Sequence, residues 1–204
     1  MLQKNINLSK YEALYEQFDG GHGMDHISRV RNLALKLAEK YLPDKLDLVY
    51  IAATLHDIGL INGRENHEIN GAEMVLKDQD LKKLFSEEEI GEIAESIKQH
   101  RASSGKPQTV LAKIISDADK ASDSSSEALI RAVEYGKVKY PELTYEEQIW
   151  RAAKHLKEKF GKGGTGRRTY FPESAQALDE AYKPIFDALS KNDFKFLEEL
   201  TKEI

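Results

Sequence analysis

The stretch Tyr50-Ile51-Ala52-Ala53-Thr54-Leu55-His56-Asp57-Ile58-Gly59 constrains this chain most, because it ends an apolar segment with an imidazole and a carboxylate side by side. Val49 to Ala53 is almost unbroken in apolar residues, which predicts a central, buried helix over Leu46 to Ile58. A buried imidazole next to a buried carboxylate is costly unless each finds a partner, and a divalent metal satisfies both at once. Neighbouring helical residues lie about 100° apart, so both side chains can lean toward one ion beside the helix. Gly59 is expected to mark the helix end, where a residue without a Cβ is favoured. The competing reading of these ten residues is a solvated His-Asp pair closing a surface helix.

The remainder of the chain also reads as helix. Ser9 to Phe18 is a short amphipathic helix, broken by Asp19-Gly20-Gly21-His22-Gly23. Ile27, Val30, Leu33, Ala34, Leu37 and Ala38 recur at helical spacing over Asp25 to Tyr41, with His26 in the first turn. His67 to Leu76 follows a polar loop, and Ser86 with Glu89 forms a capping box ahead of a helix running toward His100. That helix is expected to stop over Ser103 to Pro107, after which Val110 to Ile115 leads into Asp117-Ala118-Asp119-Lys120. Glu127 to Lys139, Tyr145 to Phe160 and Pro172 to about Glu203 are further helical runs, the last expected to break near Pro184 and again over Ser190 to Asp193. No strand pattern of useful length and no internal repeat is visible.

Composition narrows the chemistry. With 204 residues and 40% apolar content the chain can bury one sizeable core. A net charge of −5 gives no general attraction for nucleic acid or an anionic membrane. Without cysteine, the strong metal ligands available are His, Asp and Glu. No run reaches the length of a membrane span and the first residues lack the apolar core of a signal peptide, so a cytoplasmic location is expected.

Taken in order, His26 in Gly21-His22-Gly23-Met24-Asp25-His26, then His56-Asp57, then Asp117-Ala118-Asp119-Lys120 resemble the HD superfamily of metal-dependent phosphohydrolases. The resemblance implies an all-α fold: a single helical bundle over residues 1–204, with a motif core at about 21–123 and a helical C-terminal extension at about 124–204. It implies His26, His56, Asp57 and one aspartate near position 119 as the basic metal set. Asp117 and Asp119 compete for the last place, since residues two apart lie on nearly opposite sides of a helix and only one reaches the ion. The family places this carboxylate after a small residue or second in Asp-x-Asp-Lys, and Ala118-Asp119-Lys120 fits both, which favours Asp119. His67 and His100 resemble the extra ligands of two-metal subgroups, in which Asp57 bridges the ions. Each is otherwise an ordinary helix-end residue, and His100 could simply complement a helix dipole. Gly71, one turn after His67, would allow another helix to approach closely. His22 and His155 fall outside the set.

A site of imidazoles and carboxylates suits one or two divalent ions, Mn²⁺, Fe²⁺, Co²⁺, Ni²⁺ or Mg²⁺. The implied activity is hydrolysis of a phosphate ester or anhydride, of a nucleotide or related small metabolite, by metal-activated water. Asp57 would be central to catalysis, with Lys120 and Arg29 holding substrate phosphate and Arg64, Lys98 and Arg101 as further candidates. The default for each of these cations is a solvated surface charge. The basic loop Gly161 to Arg168 lacks the order of a phosphate-binding P-loop and is expected to be mobile. Two other functions compete: a diiron oxygenase of the same superfamily, which shares the ligand series, and a non-catalytic nucleotide-sensing module that keeps the fold.

Overall fold

The computed structural model describes residues 7–18, 22–101 and 105–202, and among them there are eleven α-helices and no strand. The breaks expected at residues 19–21 and 103–104, and the last two residues, lie outside the described set. Among the described residues no helix is long and apolar enough to cross a membrane. The chain falls into two compact units, Met1–Ser122 and Asp123–Ile204.

The first unit holds α1 (Ser9–Tyr15), α2 (Met24–Tyr41), α3 (Leu46–Leu55), α4 (His67–Lys77), α5 (Leu81–Leu84), α6 (Glu87–Gln99) and α7 (Val110–Ala121). Helix α3 is its centre, packed against α2, α6 and α7. From Leu48 to Leu55 every residue but Tyr50 is at most 3% exposed, as the apolar run requires. Each large aliphatic side chain buried there contributes about 1.5–3 kcal/mol. Helix α6 starts where its capping box predicts: the Ser86 hydroxyl accepts from the Glu89 amide at 3.2 Å, and the Glu89 carboxylate accepts from the Ser86 amide at 2.8 Å.

The second unit consists of α8 (Ser125–Lys139), α9 (Tyr145–Phe160), α10 (Pro172–Lys191) and α11 (Phe194–Leu200). Capping boxes at Ser124/Glu127 and Thr144/Glu147 open α8 and α9. Helix α10 runs through Pro184 without the expected break. A proline in a helix interior removes one hydrogen bond and crowds the preceding turn, but the buried stripe Leu178, Ala181, Tyr182, Ile185 and Ala188 keeps α10 continuous. The second break, expected over Ser190 to Asp193, is there: Asn192 adopts a left-handed conformation (φ 54°), and Asp193 then caps α11. In the loop after α9, Thr165–Arg167 forms a 3-10 turn packed on α9, and Arg167 pairs with Asp179 at 2.7 Å.

Candidate metal centre

Five helices bring the candidate ligands together at their ends. Helix α3 stops at Leu55, three residues earlier than the apolar pattern predicts, so His56 and Asp57 occupy the turn into a 3-10 segment at Ile58–Asn62. His56 keeps helical angles, whereas Asp57 is at φ −103°, ψ 5°. The two side chains therefore converge through a change in backbone direction, not through the 100° step of a continuing helix. His26 lies in the first turn of α2, His67 is the first residue of α4, His100 follows the last residue of α6, and Asp119 is in the last turn of α7.

Three of the imidazoles are held in one tautomer by the same local device. Nδ1 of His56 donates to the Ala53 carbonyl at 2.8 Å, Nδ1 of His100 to Ile97 at 2.6 Å, and Nδ1 of His67 to Arg64 at 3.0 Å. Each acceptor is three residues earlier, and the Ile97 carbonyl also takes the His100 amide at 3.3 Å. A carbonyl only accepts, so Nδ1 carries the hydrogen and Nε2 is left to face the cluster.

The facing groups are carboxylates. His26 Nε2 lies 3.4 Å and His56 Nε2 3.7 Å from Asp119 Oδ1. His56 Nε2 is also 3.5 Å from Asp57 Oδ2, while the other oxygen, Oδ1, is 3.3 Å from His67 Nε2 and 3.5 Å from His100 Nε2. Asp57 thus turns one oxygen toward each of two groups, His26/His56/Asp57 and Asp57/His67/His100. In each group, one ligand atom per residue lies within 4.8 Å of the others.

These residues fit a divalent ion. Nε2 of His56 is buried and makes no hydrogen bond among the described residues, an expensive condition for a polar atom at 0% residue exposure. Atoms about 2.1 Å from one ion stand roughly 3.0–3.4 Å apart at octahedral or tetrahedral angles, close to the 3.3–3.7 Å separations here. Those separations are long for hydrogen bonds.

Charge favours the same conclusion. Burial would raise the Asp57 carboxyl, but the imidazoles of His56, His100 and His67 outweigh it and hold the group well below the usual carboxylate range. Asp119 behaves likewise: burial pushes it up, and His26 and His56 bring it well down. Both stay anionic at neutral pH. The C-terminal ends of α3 and α6 add partial negative charge where a cation would sit.

Gly59 explains how His67 reaches Asp57. A Cβ on Gly59 would lie 2.0 Å from the His67 carbonyl oxygen and 2.5 Å from the Gly71 amide. The glycine is therefore a contact point for the backbone of α4, not the helix stop the sequence suggests. Gly71 faces back, with its own Cβ position 3.3 Å from the Gly59 amide and from Ile97. Gly59→Ala is expected to cost about 1–3 kcal/mol through overpacking and to push His67 away from Asp57. A lower melting temperature together with weaker metal binding checks this; unchanged values in both would refute it.

The sequence model of the HD domain family matches residues 23–123, the segment that carries every candidate ligand. The chain is an HD-domain protein. Among solved structures it is similar to the crystal structure of a predicted HD superfamily hydrolase from an uncultured Thermotogales bacterium. The TM-score is 0.59 at 19% identity, over 94% of this chain and 92% of that one. No curated protein matches the sequence.

Within the HD domain the two rival aspartates separate. Asp119 faces two imidazoles, whereas Asp117 is fully buried with its Oδ1 3.1 Å from Lys120 Nζ. Lys120 is itself buried, so its charge is already balanced inside the protein. Arg29 is half-buried on α2, one turn beyond His26. Arg101 lies 3.4 Å from Glu68, and Lys98 is exposed. His22, left outside the ligand set, has its ring 6.1 Å from that of His26 and accepts from the Arg64 guanidinium at 3.1 Å. His155 belongs to α9 in the other unit.

One carboxylate at the centre escaped the sequence reading. Glu68 is buried, 3.4 Å from His67 Nδ1 and 3.4 Å from Arg101. The only signal was its place directly after His67, and a glutamate in a first helical turn is ordinary on dipole grounds alone.

Proposed function

We propose that this protein is a metal-dependent phosphohydrolase acting on a phosphate ester or anhydride of a nucleotide or related small metabolite. The observation that carries the reading is the Asp57 carboxylate, anionic and buried, with one oxygen toward His56 and the other toward His67 and His100. In this reading His26, His56, Asp57 and Asp119 hold one divalent ion, and Asp57, His67 and His100 hold a second. Bound there, Mn²⁺, Fe²⁺, Co²⁺, Ni²⁺ or Mg²⁺ supplies Lewis acidity toward a phosphoryl oxygen and makes water a stronger acid.

The chain's own residues do the rest. The Nδ1–H bonds to Ala53, Ile97 and Arg64 fix three imidazoles before any ion arrives, which lowers the ordering cost of binding. Arg29, one turn from His26 on α2, is a candidate to hold substrate phosphate. Lys120 directly follows Asp119, with its ammonium held by Asp117 at 3.1 Å. The absence of cysteine and the all-imidazole, all-carboxylate ligand set suit attack by water over a covalent protein intermediate.

Metal analysis of protein purified without added metal, coupled to a screen of nucleotides and phosphoesters, tests the reading. Two metal equivalents with release of phosphate are expected. Oxygen consumption would move the assignment to the diiron oxygenase branch, and a protein that takes up no metal would be a non-catalytic module. Because protons compete with a metal for the ligand atoms, affinity is also expected to be lower in acid. Metal titrations at pH 5.5 and 7.5 read this directly, and equal affinities would argue against imidazole ligation.

A further inference from the structure

Helix α1 has only seven residues, too few to be stable alone in water, so its position depends on tertiary ties. Tyr11 donates its hydroxyl to Asp78 at 2.7 Å, and Lys10 Nζ reaches Asp78 at 3.0 Å and Asp80 at 2.6 Å. The last residue of the helix makes a different tie. Tyr15 is 1% exposed, and its hydroxyl donates to the Thr54 carbonyl at 2.6 Å.

That carbonyl stands two residues before His56, among those at the end of α3 that no helical amide can reach. The Thr54 side chain is occupied elsewhere, donating to the Tyr50 carbonyl at 2.7 Å. The hydroxyl of Tyr15 therefore grips the backbone at the point where the chain leaves α3 and turns to present His56 and Asp57. Burial raises the phenol well above its ordinary pKa and the Asp57 carboxylate pushes the same way, with Arg31 and the Asp57 amide opposing. It remains a neutral donor.

We propose that Tyr15 is a positioning residue for the metal centre, its hydroxyl holding the His56-Asp57 turn in the geometry that lets both side chains serve one cluster. The proposal rests on the metal reading above. A ligand displaced by about 0.5 Å already degrades a site of this kind, and removal of a supporting hydrogen bond typically lowers metal affinity about 10–100-fold. The aromatic ring is not the point: phenylalanine would fill the same space beside Phe18, whose ring centroid lies 5.1 Å away.

Tyr15→Phe is compared with Tyr11→Phe, which breaks the other tyrosine tie of α1 away from the ligands. Three quantities are read besides melting temperature: Co²⁺ affinity, the visible absorption of bound Co²⁺, and the His56 ring-proton resonance of metal-free protein at pH 8. Tyr15→Phe is expected to weaken Co²⁺ binding about tenfold or more, shift the absorption band and move the His56 resonance. Tyr11→Phe is expected to lower the melting temperature but leave the other three unchanged. The proposal is overturned if Tyr15→Phe merely lowers the melting temperature as Tyr11→Phe does. If the wild-type protein takes up no Co²⁺, the metal reading fails, and the His56 resonance alone decides: moved, it sustains Tyr15 as the support of the turn; unmoved, it removes it.

Discussion

Asp57→Asn is expected to abolish metal binding at both groups, because this one carboxylate supplies an oxygen to each. Asparagine keeps the shape, so helicity should persist while the charge that offsets two cations is gone. Loss of several kcal/mol of Lewis-acid stabilisation corresponds to a drop in phosphate release of about a thousandfold or more. The metal-free protein should change too. The folded-state pKa of Asp57 is depressed, so its contribution to stability is fully present above the ordinary carboxylate pKa and is lost as pH falls through the lower folded value. Asp57→Asn should therefore be destabilised at neutral pH, on the order of 1–3 kcal/mol, and should show a flatter loss of stability toward acid. Metal content, circular dichroism and acid melting curves measure the three effects. Retained turnover at saturating metal would rule out direct ligation by Asp57.

His67→Ala and His100→Ala are expected to lower metal stoichiometry from two toward one. Either change leaves the second group with one imidazole and a shared carboxylate, too few ligands to hold an ion against water. The first group, His26, His56, Asp57 and Asp119, should stay largely filled. Activity is expected to fall by about two to three orders of magnitude, equivalent to roughly 3–4 kcal/mol of transition-state stabilisation. His26→Ala should act on the opposite group, so the residual ion in each variant should differ in ligand field. If both His67→Ala and His100→Ala keep wild-type metal content and turnover, these two are ordinary helix-end residues and the site is mononuclear.

The sequence by itself determined the helical class, because an i, i+3, i+4 repeat such as Ile27, Val30, Ala34 and Leu37 buries one face only when wound as a helix. It also determined where α6 begins, since a capping box such as Ser86/Glu89 is satisfied within four residues. The candidate ligands were legible through the order His26, His56-Asp57, Asp119, which resembles the HD superfamily and which no local apolar pattern supplies. What only the tertiary structure decided depends on contacts between distant segments. Asp119 faces His26 and His56 while Asp117 faces Lys120 because of how α7 is rotated about its axis, and that rotation follows from packing Leu111, Ile114, Ile115 and Ala118 against α2, α3 and α6. Gly59 reads locally as a helix stop, yet its role is set by the backbone of α4 lying against it. Pro184 reads as a break, yet the buried face of α10 outweighs one missing hydrogen bond. The grip of Tyr15 on the Thr54 carbonyl joins residues 39 apart, and no local pattern carries a pairing of that range. Local sequence sets backbone periodicity and caps, whereas the long-range burial of apolar faces sets which polar groups meet.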